Sequence, residues 1–293
     1  MNTLTIDAPA KINLFLKVKG KREDGFHEIE TLFERISICD KITISKADQN
    51  IEISCSNPNV PIDSRNICYK AAQKFFDKTK INGGVKIHIQ KNIPVAAGMA
   101  GGSTDAAAVI KGLNQLYDNR LLQPELIDIA NAIGSDVTFF LYNTAFAIGT
   151  ERGNVIKPIQ EKKIFYHLIV CPDKEVLAKD VYARYKNFSL NLTRKGCIDT
   201  IFRPKNGEKI NQEEQGSCFF NDLEEAVQKQ EPVVREIRNF LYEQGAFKAM
   251  VSGSGPSVFG LFKDMGQALK AKDECVKKLS ITSDWYISEA ETY

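Results

Sequence analysis

Residues 94–104 form a run of small side chains that could bind phosphate. Glycine, alanine and hydroxyl residues fill most of the run, so the backbone N–H groups stay accessible to a ligand. A helix is predicted directly afterwards, and the positive end of its dipole attracts phosphate oxygens. The sequence therefore predicts a phosphate-binding loop. Its residues are Pro94, Val95, Ala96, Ala97, Gly98, Met99, Ala100, Gly101, Gly102, Ser103 and Thr104.

The same run has a simpler interpretation as a tight strand-to-helix turn packed with alanine. In both interpretations Ser103, Thr104 or Asp105 can cap the helix. The run matches neither G-x-x-x-x-G-K-[ST] nor G-x-G-x-x-G, so it is neither a Walker-type loop nor part of a dinucleotide-binding fold. Because alanine tolerates a positive φ poorly, we expect the glycines of the run to adopt any left-handed conformations.

Lys11 and Asn13 are polar residues at the start of an otherwise apolar strand. The period of two places them side by side on one face, about 7 Å apart. A solvated outer face of the strand would explain this pattern as well as a functional site would. The apolar residues on the other face are Ile12, Leu14, Leu16 and Val18.

Two further polar residues stand at the start of local elements. Asp136 follows Gly134 and Ser135 and precedes a short apolar run, where capping of a helix N-terminus would account for it. His27 follows an aromatic residue and an Asp-Gly turn. A lone histidine is more often structural than a ligand contact, but this neighbourhood favours a functional role for His27.

Hydrophobic periodicity predicts the elements that position the loop. Val85, Ile87 and Ile89 alternate with polar residues, as in a half-buried strand that leads into the loop. Apolar residues at helical spacing follow the loop and predict its helix. They are Ala106, Val109, Ile110, Leu113, Leu116 and Tyr117.

The second half of the chain is predicted to form a separate layer. Polar and charged residues at 151–163 mark the domain boundary. The order β-α…β-β-α-β beyond it fits a split βαβ, ferredoxin-like arrangement. Residues 204–217 are predicted to be a polar, mobile loop. The predicted strands are 165–171, 247–252, 258–262 and 285–288.

Composition excludes several classes of function. The 293 residues are 43% hydrophobic and 26% charged with a net charge of +2, which gives no electrostatic reason to expect nucleic acid or an acidic membrane. No apolar run reaches membrane-spanning length, and no signal peptide is expected, so we predict a cytoplasmic protein. The seven cysteines form no C-x-x-C, and the three histidines are scattered, so we assign no residue to a metal ion.

Several segments, taken in order, resemble the motifs of the GHMP kinases. The loop resembles that family's P-x-G-G-G-L-G-G-G-S-S-D-A-A, with alanine at 96, 97 and 100 and threonine at 104 instead of glycine and serine. Thr138 stands where proline is usual, and the segment 149–154 is longer than usual. The matching segments are residues 9–13, 24–27, 94–105, 134–136, 221–224 and 252–256.

The resemblance implies an α+β, two-domain GHMP kinase fold. Residues 1–158 would form an N-terminal domain similar to domain 2 of ribosomal protein S5 and carry the ATP loop. Residues 159–293 would form the ferredoxin-like C-terminal domain. ATP is the implied cofactor of residues 94–104, and Mg²⁺ is expected with the nucleotide.

The resemblance also implies roles for individual residues. Lys11 would supply positive charge near the transferred phosphoryl group, and Asp136 would orient the substrate hydroxyl and accept its proton. Phosphoryl transfer has a loose transition state in which the proton can leave late, so a weak base is sufficient. The turn at 24–27 resembles family members with a cytidine-diphosphate substrate, whose base His27 would read between aromatic faces. The predicted substrate-binding residues are Asn13, Phe26, His27 and Tyr182.

Two other functions are compatible with the loop alone. A GHMP kinase acting on homoserine or mevalonate would share the loop but lack the signature at 24–27. A nucleotide-binding sensor without turnover would lack Lys11 or Asp136, and both are present. We therefore predict an enzyme whose partner is a small-molecule substrate, and neither nucleic acid nor a membrane.

Overall fold

Two β-sheets with packed helices make up the computed structural model, which describes residues 2–185, 197–202, 212–279 and 285–293. The strands are β1 (Thr3–Lys21), β2 (His27–Ala47), β3 (Ile51–Cys55), β4 (Gly84–Gln90), β5 (Phe146–Glu151), β6 (Val155–Ile159), β7 (Tyr166–Cys171), β8 (Phe220–Asn221), β9 (Lys248–Val251), β10 (Val258–Phe262) and β11 (Tyr286–Glu291). The helices are α1 (Ile67–Thr79), α2 (Gly101–Leu116), α3 (Gln123–Asn131), α4 (Val137–Leu141), α5 (Ala178–Arg184), α6 (Cys197–Phe202), α7 (Gln212–Cys218), α8 (Glu224–Gln230), α9 (Pro232–Glu243) and α10 (Met265–Lys278).

The first sheet is built on the long antiparallel pair β1 and β2. Its strand order is β3-β4-β2-β1-β8, and β5 pairs with β2 and β6. The predicted strand before the loop is confirmed as β4, because its three apolar residues are buried and alternate with exposed ones. The predicted helix after the loop is confirmed as α2, whose apolar residues lie in the core beside the sheet.

The second sheet has four strands in the order β11-β7-β10-β9, and every neighbouring pair is antiparallel. In chain order these are strands four, one, three and two of the layer. A split βαβ unit produces this order, because each helical crossover skips one position in the sheet. The predicted ferredoxin-like arrangement is therefore confirmed.

The proposed domain boundary lies between the two sheets along the chain. β6 ends at Ile159 and β7 begins at Tyr166. The later part of the chain nevertheless returns to the first sheet, because β8 pairs with β1 and Thr292 forms a bridge with Ile36. The division into residues 1–158 and 159–293 stays a prediction.

One local prediction needs correction. The predicted mobile loop contains the helix α7, although residues 203–211 lie outside the described part of the chain. Asn66 caps α1, because its side chain accepts a hydrogen bond from the N–H of Cys68 at 2.8 Å. None of the helices in the described ranges is both long enough and apolar enough to cross a membrane.

A buried polar cluster joins β2 to the second sheet. Glu34 and His167 are both 0% exposed. His167 Nε2 lies 3.0 Å from Glu34 Oε1, and the Thr292 hydroxyl donates to the same oxygen at 2.6 Å. These hydrogen bonds compensate for the cost of burying polar groups between the sheets.

We expect Glu34→Ala to lower the free energy of unfolding by about 3 kcal/mol, because the side chains of His167 and Thr292 would lose a buried acceptor. The matched control is Glu30→Ala on the same strand. The Glu30 side chain is 39% exposed and pairs with Lys19, so its loss should cost less than about 1 kcal/mol. Urea unfolding of both variants measures the difference, and equal losses would contradict the assignment.

Candidate active site

A cavity of about 1200 Å³ brings the predicted site residues together. Most of the loop at 94–104, the turn at 24–27 and the turn at 253–255 form parts of its wall. The predicted catalytic and substrate-binding residues all line it as well. They are Lys11, Asn13, Phe26, His27, Asp136 and Tyr182.

Met99 and Thr104 are the two predicted loop residues that do not line the cavity. Each is 1% exposed. The Met99 side chain packs into the core beside the second sheet, while Thr104 lies on a buried face of α2. Both side chains are buried in the protein interior, so the structure does not bring them to the site.

Lys11 is a buried cation between the loop and Asp136. Its ammonium donates hydrogen bonds to Asn13 Oδ1 at 2.7 Å and to the carbonyl of Gly98 at 3.2 Å. The solvated-face interpretation is wrong, because Lys11 is 4% and Asn13 is 2% exposed. Burial lowers the pKa of the Lys11 ammonium, while the facing Asp136 carboxylate opposes this shift.

Asp136 faces Lys11 and not the helix that it precedes. It occupies the N-cap position of α4, but its side chain forms no capping hydrogen bond. Its Oδ2 lies 3.7 Å from Lys11 Nζ, and one third (33%) of the side chain is exposed. Capping therefore does not explain the residue, and the carboxylate is accessible from the cavity.

Alanines adopt left-handed conformations in the loop. The positive φ values are 56° at Ala96, 76° at Gly98 and 56° at Ala100. The expectation that only glycines would do so is wrong, because Ala96 and Ala100 are left-handed. Gly101 and Gly102 are not left-handed, since both belong to the helix α2. A left-handed alanine is strained by about 1–2 kcal/mol, so contacts around the loop must hold it in this shape.

The first turn of α2 is left without a capping side chain. The helix begins at Gly101 after Ala100, and no side chain forms a capping hydrogen bond there. The expected caps Ser103, Thr104 and Asp105 lie inside the helix instead. The N–H groups of the first turn therefore have no side-chain acceptor, which is the condition for binding an anion.

Aromatic rings form another part of the cavity wall. His27 stacks on Tyr182, with ring centroids 4.9 Å apart and an interplanar angle of 25°. Phe26 is 53% exposed beside them. Burial lowers the pKa of His27, with a smaller contribution from Lys21, which favours the neutral ring. Burial also raises the pKa of the Tyr182 hydroxyl.

Sequence reasoning missed several cations in the cavity wall, among them Arg152 and Lys91. The Arg152 guanidinium lies 4.8 Å from the centre of the Phe26 ring, within the hairpin of β5 and β6. Lys91 lies under the loop, between two buried carboxylates. The unusual length of the segment 149–154 was a signal for Arg152, whereas no local pattern indicated Lys91.

The comparisons with known proteins show the family of the chain. The GHMP kinases N terminal domain family matches residues 66–144, and the GHMP kinases C terminal family matches residues 203–281. A 4-diphosphocytidyl-2-C-methyl-D-erythritol kinase of Syntrophomonas wolfei subsp. wolfei is 39% identical over 279 residues, which are 92% of this chain and 93% of the relative. The chain belongs to the 4-diphosphocytidyl-2-C-methyl-D-erythritol kinase family of the GHMP kinases.

Three further proteins match all or nearly all of this chain. The protein of the same name from Pelobacter propionicus is 38% identical over 294 residues and 100% of both chains. A crystal structure of 4-(cytidine 5'-diphospho)-2C-methyl-D-erythritol kinase has a TM-score of 0.80 at 27% identity, over 99% of this chain and 100% of that chain. Homoserine kinase from Cytophaga hutchinsonii has a TM-score of 0.76 at 19% identity, over 98% of this chain and 95% of that chain. At this identity the similarity concerns the fold alone. The predicted two-domain GHMP kinase fold is confirmed.

We expect Gly98→Ala to destabilise this kinase by about 2 kcal/mol or more. Gly98 has a φ of +76°, and a Cβ there would lie 2.4 Å from the carbonyl oxygen of Ser252. Gly102→Ala is the control, because a Cβ there meets only Ile67 at 3.5 Å and alanine favours the helix by up to about 1 kcal/mol. Thermal unfolding measures both, and a stable Gly98→Ala variant would contradict the loop conformation.

Proposed function

We propose that this kinase transfers the γ-phosphoryl group of ATP to the 2-hydroxyl of 4-diphosphocytidyl-2-C-methyl-D-erythritol, giving the 2-phosphate and ADP. This reaction belongs to the non-mevalonate isoprenoid pathway, and we expect it to occur in the cytoplasm. The observation that carries the proposal is the pair formed by Lys11 and Asp136, which lies beside the loop in a cavity that Phe26 and His27 also line.

The loop and Lys11 are suited to the phosphates. Backbone N–H groups of residues 95–103, which include the first turn of α2, would bind phosphate oxygens. The Lys11 ammonium would stabilise the charge on the transferred group. Its hydrogen bonds to Asn13 and Gly98 hold the ammonium in place, so little reorganisation is needed during the reaction.

Asp136 is suited to the acceptor hydroxyl. The hydroxyl oxygen would attack the γ-phosphorus, the bond to the ADP oxygen would break, and the hydroxyl proton would pass to the Asp136 carboxylate. Lys11 Nζ, 3.7 Å away, would keep this carboxylate in position. A weak base suffices because the proton leaves late in a loose transition state.

Mg²⁺ would enter with the nucleotide and neutralise phosphate charge. In the described part of the chain no group of three or more His, Cys, Asp or Glu residues could hold a metal ion. Ser103 lies in the cavity wall and could add a hydroxyl ligand, whereas Thr104 is buried outside the wall.

The aromatic part of the cavity wall favours a base-containing substrate over smaller alcohols. His27 offers ring nitrogens to a base, while Phe26 and Tyr182 offer stacking faces. Homoserine and mevalonate contain no group for such a subsite. A sensor without turnover is disfavoured because Lys11 and Asp136 face each other across the site. An ATP-consumption assay with a panel of cytidine-diphosphate polyols, homoserine and mevalonate tests the proposed specificity.

We expect Asp136→Asn to reduce turnover to less than about a few per cent, because the amide cannot accept the hydroxyl proton. Stability should fall by about 1–3 kcal/mol, since the side chain forms no capping bond but its charge faces the buried Lys11 ammonium. Asp128→Asn, on the exposed face of α3, is the control for loss of one carboxylate. Steady-state kinetics and melting curves measure both, and substantial turnover by Asp136→Asn would exclude it as the base.

We expect His27→Ala to raise the KM for the cytidine substrate about ten- to a hundredfold and to leave the affinity for ATP nearly unchanged. The estimate corresponds to the loss of a base-reading partner worth about 1–3 kcal/mol. His88→Ala is the control, because His88 lies on β4 and contacts Ser54 outside the cavity. Equal weakening of both ligands, or an unchanged KM for the cytidine substrate, would contradict the assignment.

A further inference from the structure

Three buried charges lie beneath the phosphate loop. Lys91 Nζ donates to Asp40 Oδ2 at 2.5 Å and to Asp105 Oδ2 at 2.7 Å. The exposed fractions of the three side chains are 5% for Lys91, 0% for Asp40 and 4% for Asp105. We refer to Asp40, Lys91 and Asp105 together as the charged bracket.

The bracket connects the two ends of the loop. Asp40 Oδ1 accepts hydrogen bonds from the backbone N–H groups of Asn92 at 2.6 Å and Ile93 at 2.8 Å, where the chain turns into the loop. Asp105 lies in α2, just after the loop. Lys91 joins the two carboxylates, so both ends of the segment from 92 to 105 are tied to one buried ammonium.

The loop packs directly against this ammonium. A Cβ at Gly101, where α2 begins, would lie 2.9 Å from Lys91 Nζ. The strained residues Ala96 and Ala100 lie between the tied ends. Strained backbone persists only where its surroundings over-determine it, and the bracket supplies such a constraint at both ends.

Stability alone does not explain the bracket. Two carboxylates share one ammonium, and Asp105 Oδ1 has no hydrogen-bond partner among the residues that the structure describes. Burial raises the pKa of Asp105, while Lys91 opposes this shift and Asp40 adds to it. Buried ion pairs are often no more stabilising than apolar residues of similar volume, so stability is not a sufficient reason for three ionisable groups at this position.

We propose that the charged bracket sets the shape of the phosphate loop, so that Asp40 and Asp105 are positioning residues for the phosphates of ATP. They act through Lys91 and through the backbone at 92–93, and Asp40 itself does not line the cavity. The proposal rests on the proposed function only in taking ATP as the nucleotide that the loop binds. Misplacement of such a loop by about 1 Å can cost about a hundredfold in catalysis.

The test is calorimetric titration with ATP in the absence of acceptor substrate, using Asp40→Leu and Asp105→Leu. We expect the Kd for ATP to rise about tenfold or more in both, with less than about a twofold change in KM for the cytidine substrate. Asp105→Asn keeps an oxygen acceptor for Lys91 and should stay within about threefold of the unmodified protein. If Asp40→Leu does not fold, Asp40→Asn replaces it and should still raise the Kd, because both oxygens of Asp40 accept hydrogen bonds and an amide keeps only one acceptor.

Glu34→Leu is the matched control. Glu34 and Asp40 lie on the same strand, both are 0% exposed, and both accept hydrogen bonds. The control should lower the melting temperature and leave the Kd for ATP unchanged. An unchanged Kd in the Asp40 and Asp105 variants, or an equal rise in Glu34→Leu, would overturn the proposal. Failure of the proposed function would appear differently, as ATP binding without turnover of the cytidine substrate by the unmodified protein.

Discussion

The buried ammonium of Lys11 is the interaction on which the site depends. A lysine in a 4% exposed position must have its charge compensated. Its partners come from three places: Asn13 on the same strand, the Gly98 carbonyl in the loop, and Asp136 at the start of α4. An ammonium has three donors, so one charge sets the relative positions of three segments that are distant in sequence.

The Gly98 carbonyl extends this arrangement to the second sheet. It accepts a hydrogen bond from Lys11 and another, at 3.1 Å, from the hydroxyl of Ser252, which follows β9. The backbone N–H of Lys11 also donates to Met99, at 3.1 Å. These contacts stabilise the loop conformation, in which the left-handed Ala96 and Ala100 would otherwise be unfavourable. The site is therefore formed where both sheets meet the loop.

Much of the architecture could be predicted from the sequence, because the signals that specify it are local. Alternation over 85–89 predicts β4, and helical spacing after the loop predicts α2. The order of elements beyond residue 159 was sufficient to predict the split βαβ layer, since short crossovers permit few sheet topologies. The position of the loop and the choice of Lys11, Asp136 and His27 came from the motifs, and the structure brings all three to one cavity.

The sequence by itself determined the elements that position the loop, and which residues could do chemistry once they met. Only the tertiary structure decided how the loop residues divide between the cavity and the interior, where Met99 packs into the apolar core and Thr104 lies on a buried face of α2. It also decided the stacking of His27 on Tyr182 and the bracket around Lys91. The physical reason is shared: these features depend on contacts between residues far apart in the chain, whereas periodicity and turn propensity describe only near neighbours.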